Sequence, residues 1–142
     1  MNKKWRVIEG GIYRDERGLI QFVNDFDFPD VKRFYITENT STDVVRAWQG
    51  HRKEKKYFYA ITGKFLIGLV KIDDWNNPSK LLKAEKVTLH DQDSRILEIP
   101  PGYANGFRAL QPGSKLLIFS DKIIDKADKI VYDKNLWMDW FE

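Results

Sequence analysis

What most limits the folds open to this chain is its rhythm. Runs of six to nine residues rich in Val, Ile, Phe and Tyr are cut at short intervals by Gly, Pro, Asp or Asn. Residues branched or aromatic at Cβ fit a pleated, half-buried surface, and the cutting residues supply turns, so each run reads as a strand. WRVIEGGIY, LIQFVNDF and VKRFYIT open the chain, the last two parted by a Phe28-Pro29-Asp30 break. DVVRAWQ, KKYFYAIT, KFLIGLVKI, LLKAEKVTL, SRILEIP, NGFRAL and SKLLIFS continue the pattern. About nine strands result, with no amphipathic helix of three turns. Short strands at such spacing predict an all-β sandwich or small barrel.

The 142 residues suffice for one domain, 1–142, that buries its core without a staple. With no cysteine there is neither a disulfide framework nor thiolate chemistry, which suits the cytoplasm. The charged start MNKKWRVIEGG lacks the apolar core of about 7–15 residues that a signal peptide carries. Nor does any run reach the ~18–20 apolar residues of a spanning helix, so a soluble, unexported protein with no membrane partner is expected. Lys and Arg number 24 against 21 Asp and Glu, with no block of like charges, which argues against nucleic acid as a partner. A mildly positive field suits an anionic small molecule. The tail DKNLWMDWFE carries two Trp and a Phe, and is expected as a helical turn capped by Asp133 or as a strap over one barrel end.

Chemistry concentrates between Arg46 and Gly63, RAWQGHRKEKKYFYAITG. The stretch holds one of the two histidines, His51, and reads as a central hairpin closed by the Thr62-Gly63 turn. Polar Arg46, Gln49, His51, Glu54 and Lys56 alternate there with apolar neighbours, as in a strand that sends one set of side chains into a pocket. The stretch is predicted to floor a binding site. His51 reads either as a base or as a hydrogen-bonded lining residue, and His90 as exposed. Trp48 reads as core, interface or stacking platform, and Arg17 as a phosphate ligand or a surface arginine.

The frame of this stretch resembles the cupins. Gln49, His51, Lys56 and Gly63 fall where the first cupin signature has its ligands and final glycine, and Pro100, Gly102 and Asn105 fall on the second. The resemblance implies a jelly roll, or double-stranded β-helix. Of the four metal-ligand positions only His51 keeps a ligand side chain, so no metal and no cofactor are expected.

Within the cupins the chain resembles the dTDP-4-dehydrorhamnose 3,5-epimerases and dTDP-sugar 3,4-ketoisomerases. Asp15-Glu16-Arg17-Gly18, Asn39, Arg46, Lys56 and IPPGYANGF match epimerase motifs in order, and KRFY with RAWQGHRK is closer to the ketoisomerases. The resemblance implies a cytoplasmic homodimer acting on a nucleotide-linked 4-keto-6-deoxy sugar in surface polysaccharide biosynthesis. Gln49 replaces the usual base, and an amide takes no proton at neutral pH. The catalytic set is then His51 as base, with Arg46 or Lys56 stabilising the enolate. Substrate contacts are assigned to Arg17, Tyr35, Asn39, Gln49, Asn105 and Asp133, with Asp133 as a candidate to orient His51. Tyr35, Tyr57, Tyr59 and Tyr103 are candidate proton donors. The alternative is a sugar-nucleotide or carbohydrate binding module that has lost its base.

Overall fold

The computed structural model describes residues 3–27 and 30–142, and Phe28 and Pro29 of the expected break lie outside them. Among the described residues twelve strands are formed, in place of about nine, together with one 3-10 turn at Ile124–Lys126. The first run divides at Gly10 into β1 (Arg6–Glu9) and β2 (Gly11–Asp15), and β2 pairs with β3 (Gly18–Phe22) in a separate hairpin. A short strand near the C-terminus, β12 (Lys129–Val131), adds to the count.

Two antiparallel five-stranded sheets make the body. The first has the order β1, β9 (Arg95–Ile99), β6 (Lys56–Thr62), β11 (Lys115–Ser120), β4 (Arg33–Glu38). The second has the order β12, β5 (Val45–His51), β10 (Tyr103–Ala109), β7 (Lys64–Lys71), β8 (Glu85–His90). Strands that skip between sheets in this way are those of a jelly roll, so the all-β cupin-type fold is present. The expected central hairpin is absent. β5 pairs with β10 and β12 in one sheet while β6 pairs with β9 and β11 in the other, and residues 52–55 cross between them.

Alternation sends Phe58 and Ala60 of β6, Phe65, Ile67 and Leu69 of β7, Phe107 of β10 and Ile118 of β11 into the space between the sheets. Phe107 meets Phe58 and Phe65 edge to face, with centroids 5.9 and 6.0 Å apart. Tyr57 and Tyr59 take the opposite parity and pack outside the first sheet with Ile8 and Ile96.

The outer face of the second sheet is covered by the tail, which is an irregular strap without a helical turn. Trp48 is fully buried there against Trp137 and Trp140, and its indole N–H donates to the Leu136 carbonyl at 2.9 Å. Trp48 is therefore core and offers no platform for a base. The strap lies on a sheet face and leaves the end of the sandwich clear.

A bulge sets the parity of β5. Asn105 pairs with Gln49 and Phe107 with Arg46, so two residues of β5, Ala47 and Trp48, oppose the single Gly106. Simple alternation would turn Arg46 away from Gln49 and His51. The extra residue brings all three to one face. Gly106 is needed at this point, because a Cβ there would stand 2.5 Å from the Ala47 Cβ and 2.9 Å from the Trp140 ring.

Candidate active site

At one end of the space between the sheets lies a cavity of about 280 Å³. β4 contributes Arg33, Tyr35 and Thr37, the alternate residues of an edge strand whose other face is exposed. β5 contributes Arg46, Gln49 and His51, and β6 contributes Lys56 as its first residue. Phe107 and Ile118 form the apolar floor, and Ile124, Ala127 and Lys129 close one side. The polar strip of the sequence thus lines a single cavity from two opposed sheets.

Glu54, in the crossing segment, is the hub. Its side chain is 0% exposed. Oε2 accepts from the Ser120 hydroxyl at 2.5 Å and from Arg33 Nη2 at 3.3 Å, and Lys56 Nζ stands 3.7 Å away. Oε1 faces His51 Nδ1 at 3.3 Å in a close contact whose alignment falls short of a good hydrogen bond. Burial pushes the Glu54 carboxyl up, but His51, the Ser120 hydroxyl and the Lys56 ammonium outweigh it and hold the group at about 2. The carboxylate is ionised at any pH the protein meets in a cell.

His51 is buried, with its Nδ1 also 3.5 Å from Asp128 Oδ1. Its Nε2 has no hydrogen-bond partner among the described residues. Lys56 Nζ donates to the Tyr35 hydroxyl at 2.6 Å and lies 5.2 Å from the centroid of that ring. Because the ammonium fills a lone pair of the phenol oxygen, the phenol hydrogen is left to donate elsewhere. Arg46 is held from behind, its Nε donating to Asn39 Oδ1 at 2.7 Å.

The other residues singled out in the sequence lie elsewhere. Asn39 is buried behind Arg46 and off the cavity wall. Asn105 is buried opposite Gln49, with no partner for Nδ2 among the described residues. Asp133 is exposed and caps its own turn by accepting from the Asn135 N–H at 2.7 Å. Arg17 sits at the tip of the β2–β3 hairpin, its side chain 79% exposed and paired with Asp15 at 2.6 Å. Of the four tyrosines considered, Tyr35 alone lines the cavity. His90, expected in the open, is half-buried at the end of β8 beside Asp91. Glu54 was visible only as part of the polar strip, Arg33 only as part of KRFY, and Asp128 gave no sequence signal.

His51, Glu54 and Asp128 bring one ligand atom each within 4.8 Å of one another, a grouping that a metal ion could use. Ligand number therefore no longer argues against a metal, as it did when His51 stood alone. Oε2 of Glu54 is engaged by Ser120 and Arg33 with the Lys56 ammonium beside it, so only Oε1 of that carboxylate is open to an ion.

The family described as FdtA, WxcM-like, C-terminal matches residues 3–139. The chain belongs to this family. The WxcM-like chain resembles in structure QdtA, a sugar 3,4-ketoisomerase of Thermoanaerobacterium thermosaccharolyticum solved with TDP, at 25% identity and TM-score 0.69 over 92% of this chain and 89% of that one. A mutant of that enzyme, solved with TDP-4-keto-6-deoxyglucose, matches at 25% identity and TM-score 0.69 over 92% and 88%. The rmlC epimerase of Mycobacterium tuberculosis is similar in fold, with 23% identity and TM-score 0.76 over 96% of this chain and 74% of that one. No curated protein sequence matches the WxcM-like chain.

Proposed function

We propose that this WxcM-like protein is an epimerase or ketoisomerase of a nucleotide-linked 4-keto-6-deoxy sugar, working without a metal in surface polysaccharide biosynthesis. The observation that carries the reading is the pairing, in one cavity, of an imidazole with a free Nε2 and a tyrosine hydroxyl backed by an ammonium. Hydrogen beside a ketone becomes removable when a base takes the proton as the oxygen receives a donor. His51 is the base, since imidazole is the side chain that exchanges protons near neutrality. Tyr35 donates to the developing enolate oxygen, and Lys56 supports it. A proton returned to the same carbon from the other face, with the oxygen giving its proton back to Tyr35, yields the epimer; a proton delivered instead to the former carbonyl carbon, with the neighbouring hydroxyl giving its proton to Tyr35, yields the moved ketone.

At about 280 Å³ the cavity falls just below the roughly 300–1,000 Å³ of pockets for drug-sized ligands, which suits a pyranose ring. The nucleotide then lies across the mouth, where the exposed Arg46 and Lys129 meet its phosphates. QdtA structures contain TDP or a TDP-linked 4-keto sugar, and the same ligand class is assigned here. Gln49 on the cavity wall favours the second reading, a binding module. Deuterium exchange separates the two: in D2O the enzyme speeds exchange beside the keto group of TDP-4-keto-6-deoxyglucose, whereas a binder leaves the rate at that of the blank.

The working unit proposed is a homodimer. Phe34 and Ile36 on the outer face of β4 are 64% and 53% exposed, and Tyr13 and Ile20 of the hairpin 57% and 61%. Apolar side chains concentrated like this on an edge strand and a detached hairpin suit burial against a second copy. Among the described residues no helix is long and apolar enough to cross a membrane. The cytoplasm is the compartment proposed, in keeping with a chain that has no cysteine.

A further inference from the structure

Two acceptors converge on Nδ1 of His51. Glu54 Oε1 lies 3.3 Å away and Asp128 Oδ1 3.5 Å away, and neither oxygen has a hydrogen-bond partner among the described residues. A bare Nδ1 would set its lone pair against two carboxylate oxygens, with nothing between them. A proton on Nδ1 turns the same geometry into attraction. The two carboxylates are not equal. Asp128 is 26% exposed on its side chain and is tied at its other oxygen by one backbone donor, the Lys53 N–H at 2.7 Å, whereas Glu54 is sealed in and its other oxygen is held by Ser120 and Arg33 with the Lys56 ammonium beside it.

We propose that Glu54 is a positioning residue: one oxygen keeps the His51 proton on Nδ1 and so leaves the lone pair of Nε2 free, and the other keeps Lys56 against Tyr35. A single buried carboxylate thereby sets both sides of the proton transfer. The proposal rests on the reading of His51 as base, but its first consequence, the tautomer, holds with no substrate present.

The Glu54→Gln variant tests it sharply. Ser120, Arg33 and Lys56 are all donors around Oε2, so the amide oxygen must stay with them and the amide N–H₂ must turn to His51. Facing a donor, Nδ1 becomes an acceptor and the ring proton moves to Nε2, where it blocks the base. The readout is the tautomer of neutral His51 by ¹⁵N NMR of the whole protein at mildly alkaline pH, free and with TDP. Wild type is expected with the proton on Nδ1, Glu54→Gln with the proton on Nε2, and Asp128→Asn still with the proton on Nδ1. With TDP-4-keto-6-deoxyglucose, Glu54→Gln loses about 10²- to 10⁴-fold in kcat, the range of a general base, while the Kd for TDP moves less than about 3-fold.

Wild-type protein with the proton on Nε2 overturns the proposal, and that spectrum is informative even where the variant fails to fold. Retention of the Nδ1 proton in a folded Glu54→Gln protein overturns it equally. Should the tautomers behave as expected while wild type exchanges no substrate hydrogen, the proton placement stands and the assignment of His51 as base falls.

Discussion

The ionised state of Glu54 has a consequence for stability that pH exposes. A carboxyl that titrates at its ordinary 4.5 when unfolded and at about 2 when folded contributes about 3 kcal/mol at neutral pH. That is a substantial part of the roughly 5–15 kcal/mol of a whole domain. Because the folded value is the lower one, the contribution is complete above the unfolded value and is lost as pH falls through about 2. Glu54→Gln has no proton to take up at this position. Its deficit relative to wild type should therefore shrink by about 3 kcal/mol between neutrality and strong acid, while every other carboxyl cancels in the comparison. Urea unfolding of both proteins across that range measures the gap, which corresponds to a relative midpoint movement of about 1–3 M at ordinary m-values. A gap independent of pH would refute the argument. A gap that widens in acid would mean that burial, which opposes ionisation, outweighs the Ser120, His51 and Lys56 contacts.

Four further outcomes are expected. His51→Asn should lower kcat by about 10²- to 10⁴-fold in the exchange assay with melting temperature and TDP affinity almost unchanged, and wild-type turnover would remove His51 as base. Dialysis against a chelator should leave the exchange rate of the wild-type protein where it was, and a loss restored by one divalent metal would assign His51, Glu54 and Asp128 to that metal. Phe34→Glu should halve the mass seen by light scattering without changing the far-ultraviolet spectrum, since it places a charge on the exposed face assigned to the second copy, and an unchanged mass would move the interface elsewhere. Gly63→Ala should cost about 1–3 kcal/mol in urea unfolding, because φ there is +80° and the new Cβ would stand 2.0 Å from the Ser114 hydroxyl. A cost near zero would show that Ser114 gives way freely.

Most strands could be read from the chain because their signal is local. KKYFYAIT and KFLIGLVKI carry β-branched and aromatic residues over lengths that leave little choice, and β6 and β7 lie there. Pairing is a different matter. A short charged link between two strand-like runs reads as a hairpin, yet residues 52–55 cross between sheets because the partners of β5 and β6 lie on β10, β12, β9 and β11. The bulge that turns Arg46 toward His51 was illegible for a related reason, since it is created opposite Gly106, on another strand.

In the site, His51, Lys56, Gln49 and Arg46 stood out by their place in the polar strip, and all four line the cavity. Asp133 is the carboxylate that the resemblance offers to orient His51, but the carboxylates that reach it are Glu54 and Asp128. Nothing local marks Asp128, which sits in a polar stretch beyond β11 and becomes relevant only once β12 pairs with β5. Tyr35 could be told from the other tyrosines only when the first sheet was assembled, because its distinguishing feature is the Lys56 ammonium on β6, which reaches it across β11.

The crossing at residues 52–55 also dictates when this site can first exist during synthesis. His51 and Lys56 leave the ribosome almost together, but the strands that fix them leave much later: β9 at Arg95–Ile99, β10 at Tyr103–Ala109, β11 at Lys115–Ser120 and β12 at Lys129–Val131. Until that last third has emerged, the nascent chain carries Glu54 without Ser120 beside it, and the carboxylate waits in water. A ligand therefore finds no complete pocket on the growing polypeptide, and a product that ends before β11 lacks both the hydroxyl that holds Glu54 and the Ile118 floor of the cavity.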